Sequence, residues 1–401
     1  MLEVAPRLPA GLLMETDLLP GRTKGQPHLC LVTHGCRKND GQGRVNYEIV
    51  KAVLKRGWRV TFIGSSVSDD LLAEPSLRWL KVQRSRVPTA LLKNLLFAVK
   101  GSTVVKRHES QFDIVHTNGF IVWAKSNFNT AHFVHSGWVR NNFYPYRPPK
   151  SLYSLYQYAY TLLNSRLEQG AFRISRQLIA VSEKVGKEIA ATGIAGDRIS
   201  VIHNGVDLEE FYPGQAQRKK FALPENATLF LFAGDIRSPR KNLESVLKAL
   251  ALVPDIHLVV AGGLQGSPYP ALAKKMRLDD RVHFLGMVSD MPNLMRSVDI
   301  FVFPSRYEPF GLVILEALAS GLPVITTQTA GGAEVIGEGG IVISNPEDIQ
   351  ELAKSMEYLA KDTLIRAKMA GKARQVATEL SWSRMTERYL ELYERSLENR
   401  S

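Results

Sequence analysis

Glu308 and Glu316, with seven residues between them, lie in the stretch YEPFGLVILEALASGLPVITT, residues 307–327. From Gly311 to Ser320 this stretch is apolar on nearly every side except at Glu316, which predicts a buried helix stopped at Gly321 ahead of Pro323. A buried carboxylate with no partner costs roughly several kcal/mol, so Glu316 needs a partner inside the protein or on a ligand. The first free N–H groups of such a helix carry about half a positive charge and favour an anion such as a phosphate. Glu308 sits just before that helix end and Glu316 about one turn inside it, so both can face one ligand. Acids beside a phosphate site repel phosphate unless they contact something else, and sugar hydroxyls are natural donors to carboxylate oxygens. The chemistry implied is recognition of a sugar joined to a phosphate.

A second signal is AGDIRSPRKN, residues 233–242, which reads as a strand, a glycine turn and then Arg240 and Lys241 at the start of a helix running through Leu243, Val246, Leu247 and Leu250. Cations oppose the dipole at a helix N-terminus, and residues kept against local preference are candidates for function. The bland alternative is a solvated pair on a basic surface. No residue identifies itself as a covalent nucleophile, and hydrolysis by paired carboxylates fits poorly with an apolar setting for Glu316.

The elements that would position these residues recur along the chain. Short β-rich runs ending in Gly or Ser appear at 28–35, 59–64, 113–119, 131–137 and 177–182, with helical patterns between them. The pattern restarts after a turn-rich segment at 204–214, with runs at 229–234, 257–262, 282–286, 299–305 and 323–327. Near-continuous apolar strands alternating with helices predict parallel sheets covered on both faces, hence an α/β fold of two doubly wound domains. Ligands of such sheets bind beyond the carboxyl ends of the strands, here in a cleft between the domains.

The chain has 401 residues, 45% hydrophobic and 22% charged, a soluble globular composition too long for one ordinary core. The net charge of +12 asks for a negatively charged partner: nucleic acid, an anionic membrane or a phosphorylated small molecule. Zinc-finger spacing, an RNP-like run and an uninterrupted basic block are all missing, which argues against nucleic acid. No apolar run approaches the roughly 18–20 residues of a membrane span, and the N-terminus, with Glu3 and Glu15 around a short leucine patch, lacks signal-peptide order. A cytoplasmic location is expected, and Cys30 and Cys36, in neither metal nor CxxC spacing, fit a reduced compartment. Two segments break the alternation: the basic, leucine-rich 86–107 and the aromatic, arginine-bearing 138–160. Each reads either as ordinary surface packing or as a contact with an anionic membrane.

Taken with VSEKVGKEI, VIHNGVDLEEFYP, RKNLESVLKAL, LVVAGG, VHFLGMV, GGAEVI and LSWSRMTERYLELY, these motifs resemble the retaining glycosyltransferases of family 4, whose mark is two glutamates with seven residues between them. The Arg-Lys pair and the aromatic insertion after His135 look most like the lipopolysaccharide core glucosyltransferase subgroup. The resemblance implies a GT-B fold, with an acceptor-side Rossmann-like domain over 1–205, a nucleotide-sugar donor domain over 206–384, and a helix over 385–401 crossing back to the first domain. It implies transfer of a hexose, with retention, from a UDP- or GDP-sugar to a hydroxyl of a glycan or lipid-linked acceptor.

By the same resemblance Arg240 and Lys241 bind the donor diphosphate, Glu308 the sugar hydroxyls and Glu316 the ribose. Backbone groups at Phe310, Gly311 and Leu312 touch sugar and phosphate, and those near Met287 and Val288 hold the base. Gly41 and Gly43 let the NDGQGRVN loop approach the diphosphate, and His135, read as the end of a strand, lies near the donor sugar. This loop is not GxGxxG, since Asn46 stands third, so a nicotinamide site is disfavoured. Many family members place an arginine two or three residues after the strand glycine; here both Arg237 and Arg240 are available, and Arg240 is favoured because it adjoins Lys241. No DxD motif occurs, so no metal or other cofactor is expected. A nucleotide-sugar epimerase would convert donor without acceptor, and a non-catalytic sugar-nucleotide binding protein would bind it without turnover.

Overall fold

The computed structural model describes residues 26–38, 40–82 and 90–399. The N-terminal stretch around Glu3 and Glu15, Asn39, and residues 86–89 of the basic segment lie outside the described residues. Seven strands, β1 (His28–Val32), β2 (Arg59–Gly64), β3 (Leu77–Lys81), β4 (Ile114–Asn118), β5 (Ser126–Ala131), β6 (Ser175–Ala180) and β7 (Ile199–Val201), form one parallel sheet in the order β3-β2-β1-β4-β5-β6-β7. Six more, β8 (Thr228–Ala233), β9 (Ile256–Ala261), β10 (Val282–Gly286), β11 (Ile300–Phe303), β12 (Val324–Thr327) and β13 (Gly340–Ile343), form a second parallel sheet in the order β10-β9-β8-β11-β12-β13. Both orders start at the middle strand, run to one edge and return to the other side, the doubly wound arrangement that opens a crevice at the reversal. The apolar runs explain the central strands: Leu29–Val32 and Leu229–Ala233 are fully or almost fully buried, as strands covered on both faces must be.

Helices α1 (Gly41–Lys55), α2 (Ala90–Arg107), α3 (His135–Arg140), α4 (Leu152–Ile174), α5 (Glu183–Ala190), α6 (Leu243–Leu252), α7 (Leu312–Ala319) and α8 (Trp382–Glu398) carry the functional argument. The last of these returns from the second sheet to the first. Its Met385, Tyr389, Leu390 and Tyr393 enter the core beneath β1, β2 and β4 together with Tyr47 and Ile49 of α1. Inside that core His116 of β4 bonds Tyr393 through Nδ1 and Thr130 through Nε2, the latter at 2.8 Å. Burial holds the His116 imidazole down to about 3, so it is a neutral structural histidine.

Three expectations change. The run 131–137 is not a strand: β5 ends at Ala131, and His135 is instead the first residue of α3. The polar sequence SNFNTA forms the strand, because its buried polar groups are matched; Asn129 alone bonds both the N–H and the C=O of Gly119. Gly41 and Gly43 lie in the first turn of α1 rather than in a loop. Arg240 and Lys241 occupy a separate turn, Pro239–Lys241, and α6 starts only after Asn242. Of the two readings of the basic segment, ordinary packing fits α2: Phe97 is buried against the first sheet with Val105, leaving Leu92 and Val99 outward.

Candidate functional site

The loops that follow β8 and β11 leave the second sheet at its point of reversal, and they carry both basic residues and Glu308. Asn242, buried and at φ 65°, fixes the first loop to the second: its Nδ2 donates to Pro304 O at 2.9 Å and to Pro346 O at 2.6 Å. Arg306 N donates to Arg240 O at 2.8 Å, closing the same junction. Across it, Lys241 Nζ contacts Glu308 Oε2, and Arg240 Nη1 lies 3.4 Å from the same oxygen and 2.9 Å from Tyr307 O. Arg237 takes no part: its side chain is 61% exposed and pairs with its neighbour Asp235. Burial alone would push the Glu308 carboxyl up, but Lys241, Arg240 and Lys184 together hold it below the usual carboxylate range.

The segment holding Glu308 is clamped on its other side. Glu308 N donates to Thr329 O at 3.2 Å and Gly331 N to Glu308 O at 2.8 Å. A Cβ on Gly331 would stand 1.9 Å from Pro309 O, so glycine is required by the close approach. Gly311, at φ 93°, then turns the chain into α7 in a conformation that L side chains rarely adopt. Phe310 is buried and stacks on His203 at 5.8 Å, and Leu312 opens the helix. A Cβ on Gly41 would lie 3.8 Å from Leu312 Cδ1, so the N-termini of α1 and α7, one from each sheet, face each other. Neither has a side-chain cap or an acidic residue in its first turn. The α7 end thus offers free N–H groups beside the Arg240–Lys241 turn, while at the facing α1 end the carboxylate of Asp40, the residue just ahead of the helix, lies against Gly43.

Glu316 lies in the second turn of α7, and its carboxylate meets no hydrogen-bonding partner among the described residues. Burial, reinforced by Glu210 and opposed by Arg44, pushes its carboxyl up to about 7. Met287 and Val288 follow β10 at the cleft rim, where Met287 is 83% exposed and Val288 partly buried. His135 stands on the facing domain: its Nδ1 is 3.1 Å from Glu168 Oε1, and its backbone N–H donates to Glu168 Oε2 at 2.9 Å. Phe133 links it to the acidic and basic cluster, packing edge-on against both His135 and Tyr307 while the Arg240 guanidinium lies 5.8 Å from its ring centre.

The sequence reading missed the residues that join the two halves. Tyr307 is fully buried, with its hydroxyl 2.7 Å from Glu188 Oε2 and 3.0 Å from Val134 O. Ser182 Oγ donates to Pro309 O at 2.7 Å, and Glu334 accepts from Glu183 N and from His203 Nε2, each at 2.7 Å. The serine ahead of Glu183 was legible as a helix cap, but its second contact needs the other domain in place.

Two family models divide the chain between them: Glycosyltransferase Family 4 over residues 39–210 and Glycosyl transferases group 1 over residues 214–376. The chain belongs to the family 4 glycosyltransferases. The chain is 32% identical over 237 residues to D-inositol 3-phosphate glycosyltransferase of Mycobacterium tuberculosis, an overlap of 55% of this chain and 49% of that protein. It thus spans about half the length of the curated relatives it matches. Its fold resembles WaaG, a glycosyltransferase involved in lipopolysaccharide biosynthesis, with a TM-score of 0.73 at 22% identity over 91% of this chain and 99% of that one. Anabaena HepE in complex with UDP and glucose gives 0.68 at 20% identity, covering 92% and 100%. At such identities the likeness is one of architecture, and the GT-B fold of the chain follows from it together with the two sheets.

Proposed function

We propose that the protein transfers a hexose, with retention, from a UDP- or GDP-sugar to a hydroxyl of a glycan or lipid-linked acceptor. The observation that carries the reading is the uncapped end of α7 beside Arg240 and Lys241, with Glu316, a carboxylate that has no hydrogen-bonding partner among the described residues, one turn inside that helix. In this reading the diphosphate takes Arg240, Lys241 and the N–H groups at Gly311 and Leu312, aided by the α1 end at Gly41 and Gly43. The ribose hydroxyls donate to Glu316, the base lies against the main chain at Met287 and Val288, and the sugar hydroxyls reach Glu308 past Phe310. His135, with Nδ1–H donated to Glu168, offers Nε2 toward the sugar from the acceptor side. As the glycosidic bond breaks, negative charge grows on the departing diphosphate, and the fixed cations and helix ends stabilise it. The departing phosphate oxygen then takes the acceptor proton on the same face.

The first test is a thermal-shift screen of UDP- and GDP-sugars, because a ligand bound only to the folded state raises the melting midpoint. One donor is expected to raise it in the wild type and not in Glu316→Ala; no shift with any donor removes the reading. Since protein cations do the work of a divalent ion here, activity in EDTA is expected to match activity in magnesium. Complete loss that returns with magnesium or manganese would refute that part.

The acceptor half of the proposal rests on α4. Its first turns expose Leu152, Tyr153, Leu155 and Tyr156 next to the exposed Arg147 and Lys150, a pattern suited to an anionic membrane surface. Among the described residues no helix is long and apolar enough to cross a membrane. Leu152→Ser/Tyr153→Ser/Tyr156→Ser is expected to weaken sedimentation with anionic vesicles about tenfold or more, given roughly 1.5–3 kcal/mol per buried large apolar side chain. Unchanged sedimentation would leave a soluble acceptor.

A further inference from the structure

Lys184 is a buried cation that the reading above leaves idle. It is the second residue of α5, and its side chain is 20% exposed. The ammonium lies 3.7 Å from the centre of the Tyr307 ring and 3.0 Å from Glu188 Oε1. Apart from this ion pair, Nζ is not matched to a hydrogen-bond acceptor among the described residues. An ammonium has three donors, and taking it out of water without using them is costly. Glu188 is committed elsewhere, since its other oxygen accepts the Tyr307 hydroxyl at 2.7 Å.

Tyr307 directly precedes Glu308, and its carbonyl accepts from Arg240 at 2.9 Å. Arg240 and Lys241 of the second domain contact the Glu308 carboxylate directly, and Lys184 of the first domain, over the adjacent Tyr307 ring, is near enough for its charge to act on it. Three cations and two carboxylates, Glu188 and Glu308, leave a surplus of one positive charge in a site largely closed to water. An anion placed there would meet donors from both domains.

We propose that Lys184 is a further donor-site residue whose ammonium, ion-paired with Glu188 but with donors to spare, binds the sugar-linked phosphate of a nucleoside diphosphate, opposite Arg240 and Lys241. The proposal rests on the glycosyltransferase reading of the same site. Because the cations come from two domains, a phosphate held between them draws the cleft shut, with the Tyr307 ring as the support under the lysine stem.

The test is calorimetric binding of UDP, GDP, UMP and GMP to the wild type, Lys184→Met and Lys184→Arg, with melting curves for each. The wild type is expected to bind one diphosphate more tightly than its monophosphate. Lys184→Met keeps an unbranched stem over Tyr307 and should lose about tenfold or more for that diphosphate, the scale of one charge-assisted hydrogen bond, while leaving the monophosphate nearly unchanged. Lys184→Arg should recover most of the loss. Unchanged diphosphate affinity, or an equal loss for diphosphate and monophosphate, would make Lys184 a strut between the domains and overturn the proposal. Should methionine unfold the protein, Lys184→Gln, which keeps a donor toward Glu188, is read by the same criterion. A wild type that binds neither diphosphate overturns the glycosyltransferase reading along with it, a result distinct from a wild type that binds and a variant that binds equally well.

Discussion

Replacing Lys241 by methionine is expected to lower kcat by about 10²- to 10³-fold, the range typical for removing one donor aimed at developing charge. The same change strips Glu308, which is only 9% exposed, of its closest cation. A buried carboxylate left partly unpaired destabilises the fold, here by about 1–3 kcal/mol because Arg240 and Lys184 remain nearby. Adding Glu308→Gln removes the stranded charge, so the melting temperature of the double variant should return toward wild type while kcat stays low. That split separates the two roles of the pair. Recovery of kcat in the double variant would mean that Lys241 serves Glu308 rather than the substrate. Retention of full kcat in Lys241→Met would remove it from the reaction altogether.

Glu316→Gln should trade stability against binding in opposite directions. The Glu316 carboxyl is raised from 4.5 to about 7 in the folded protein, chiefly by burial and then by Glu210. A carboxyl raised on folding holds its proton more tightly in the native state. Its favourable contribution is therefore complete below about pH 4.5 and is lost as the pH climbs through about 7. At pH 8 the ligand-free wild type bears the full penalty of a desolvated, unpartnered carboxylate. The neutral isostere should then melt higher, corresponding to roughly 1–3 kcal/mol, with the difference vanishing near pH 4.5. Nucleotide binding should move the other way and weaken about tenfold, since a hydrogen bond to a charged acceptor is worth roughly 1.5–3 kcal/mol against about 0.5–1.5 for a neutral one. Melting curves from pH 4.5 to 8, with and without nucleotide, read both effects. A variant that is no more stable at pH 8, or that binds nucleotide as well as wild type, would leave Glu316 a structural acid.

The sequence carried the sheets well wherever burial on both faces demanded apolar runs, and poorly where burial was met by polar partners. β5 was missed because Ser126, Asn127, Asn129 and Thr130 are buried through side-chain hydrogen bonds that no hydropathy pattern records. The apolar Phe133 and Val134 just beyond it were mistaken for strand, although their partners are Tyr307 and its hydroxyl across the cleft. The same logic divides the candidate site. Glu316, Arg240 and Lys241 could be singled out because each violates a local rule, an acid in an apolar helix or cations before a helix start, and Glu308 through its spacing from Glu316. Lys184, Glu188 and Glu168 violate none, since each sits on a helix with a polar face, and only the folded arrangement shows them turned inward. Asn242 was legible as a helix-start residue, but its left-handed conformation and its bond to Pro346 depend on a loop more than a hundred residues later.

The return of α8 sets an order on how this protein can be made. The first sheet is complete by Val201, yet the pocket around His116 is closed by Tyr389 and Tyr393, the latter 277 residues beyond the histidine. A ribosome emitting the chain would release the first domain with that pocket and the apolar flank of α1 still open. The second domain, which carries its own sheet between Thr228 and Ile343, would finish while its older neighbour waited. Tying the earliest strands to the latest helix makes the two halves mature together, so a half-built chain presents an unsealed core to chaperones and proteases rather than a finished domain able to bind substrate by itself.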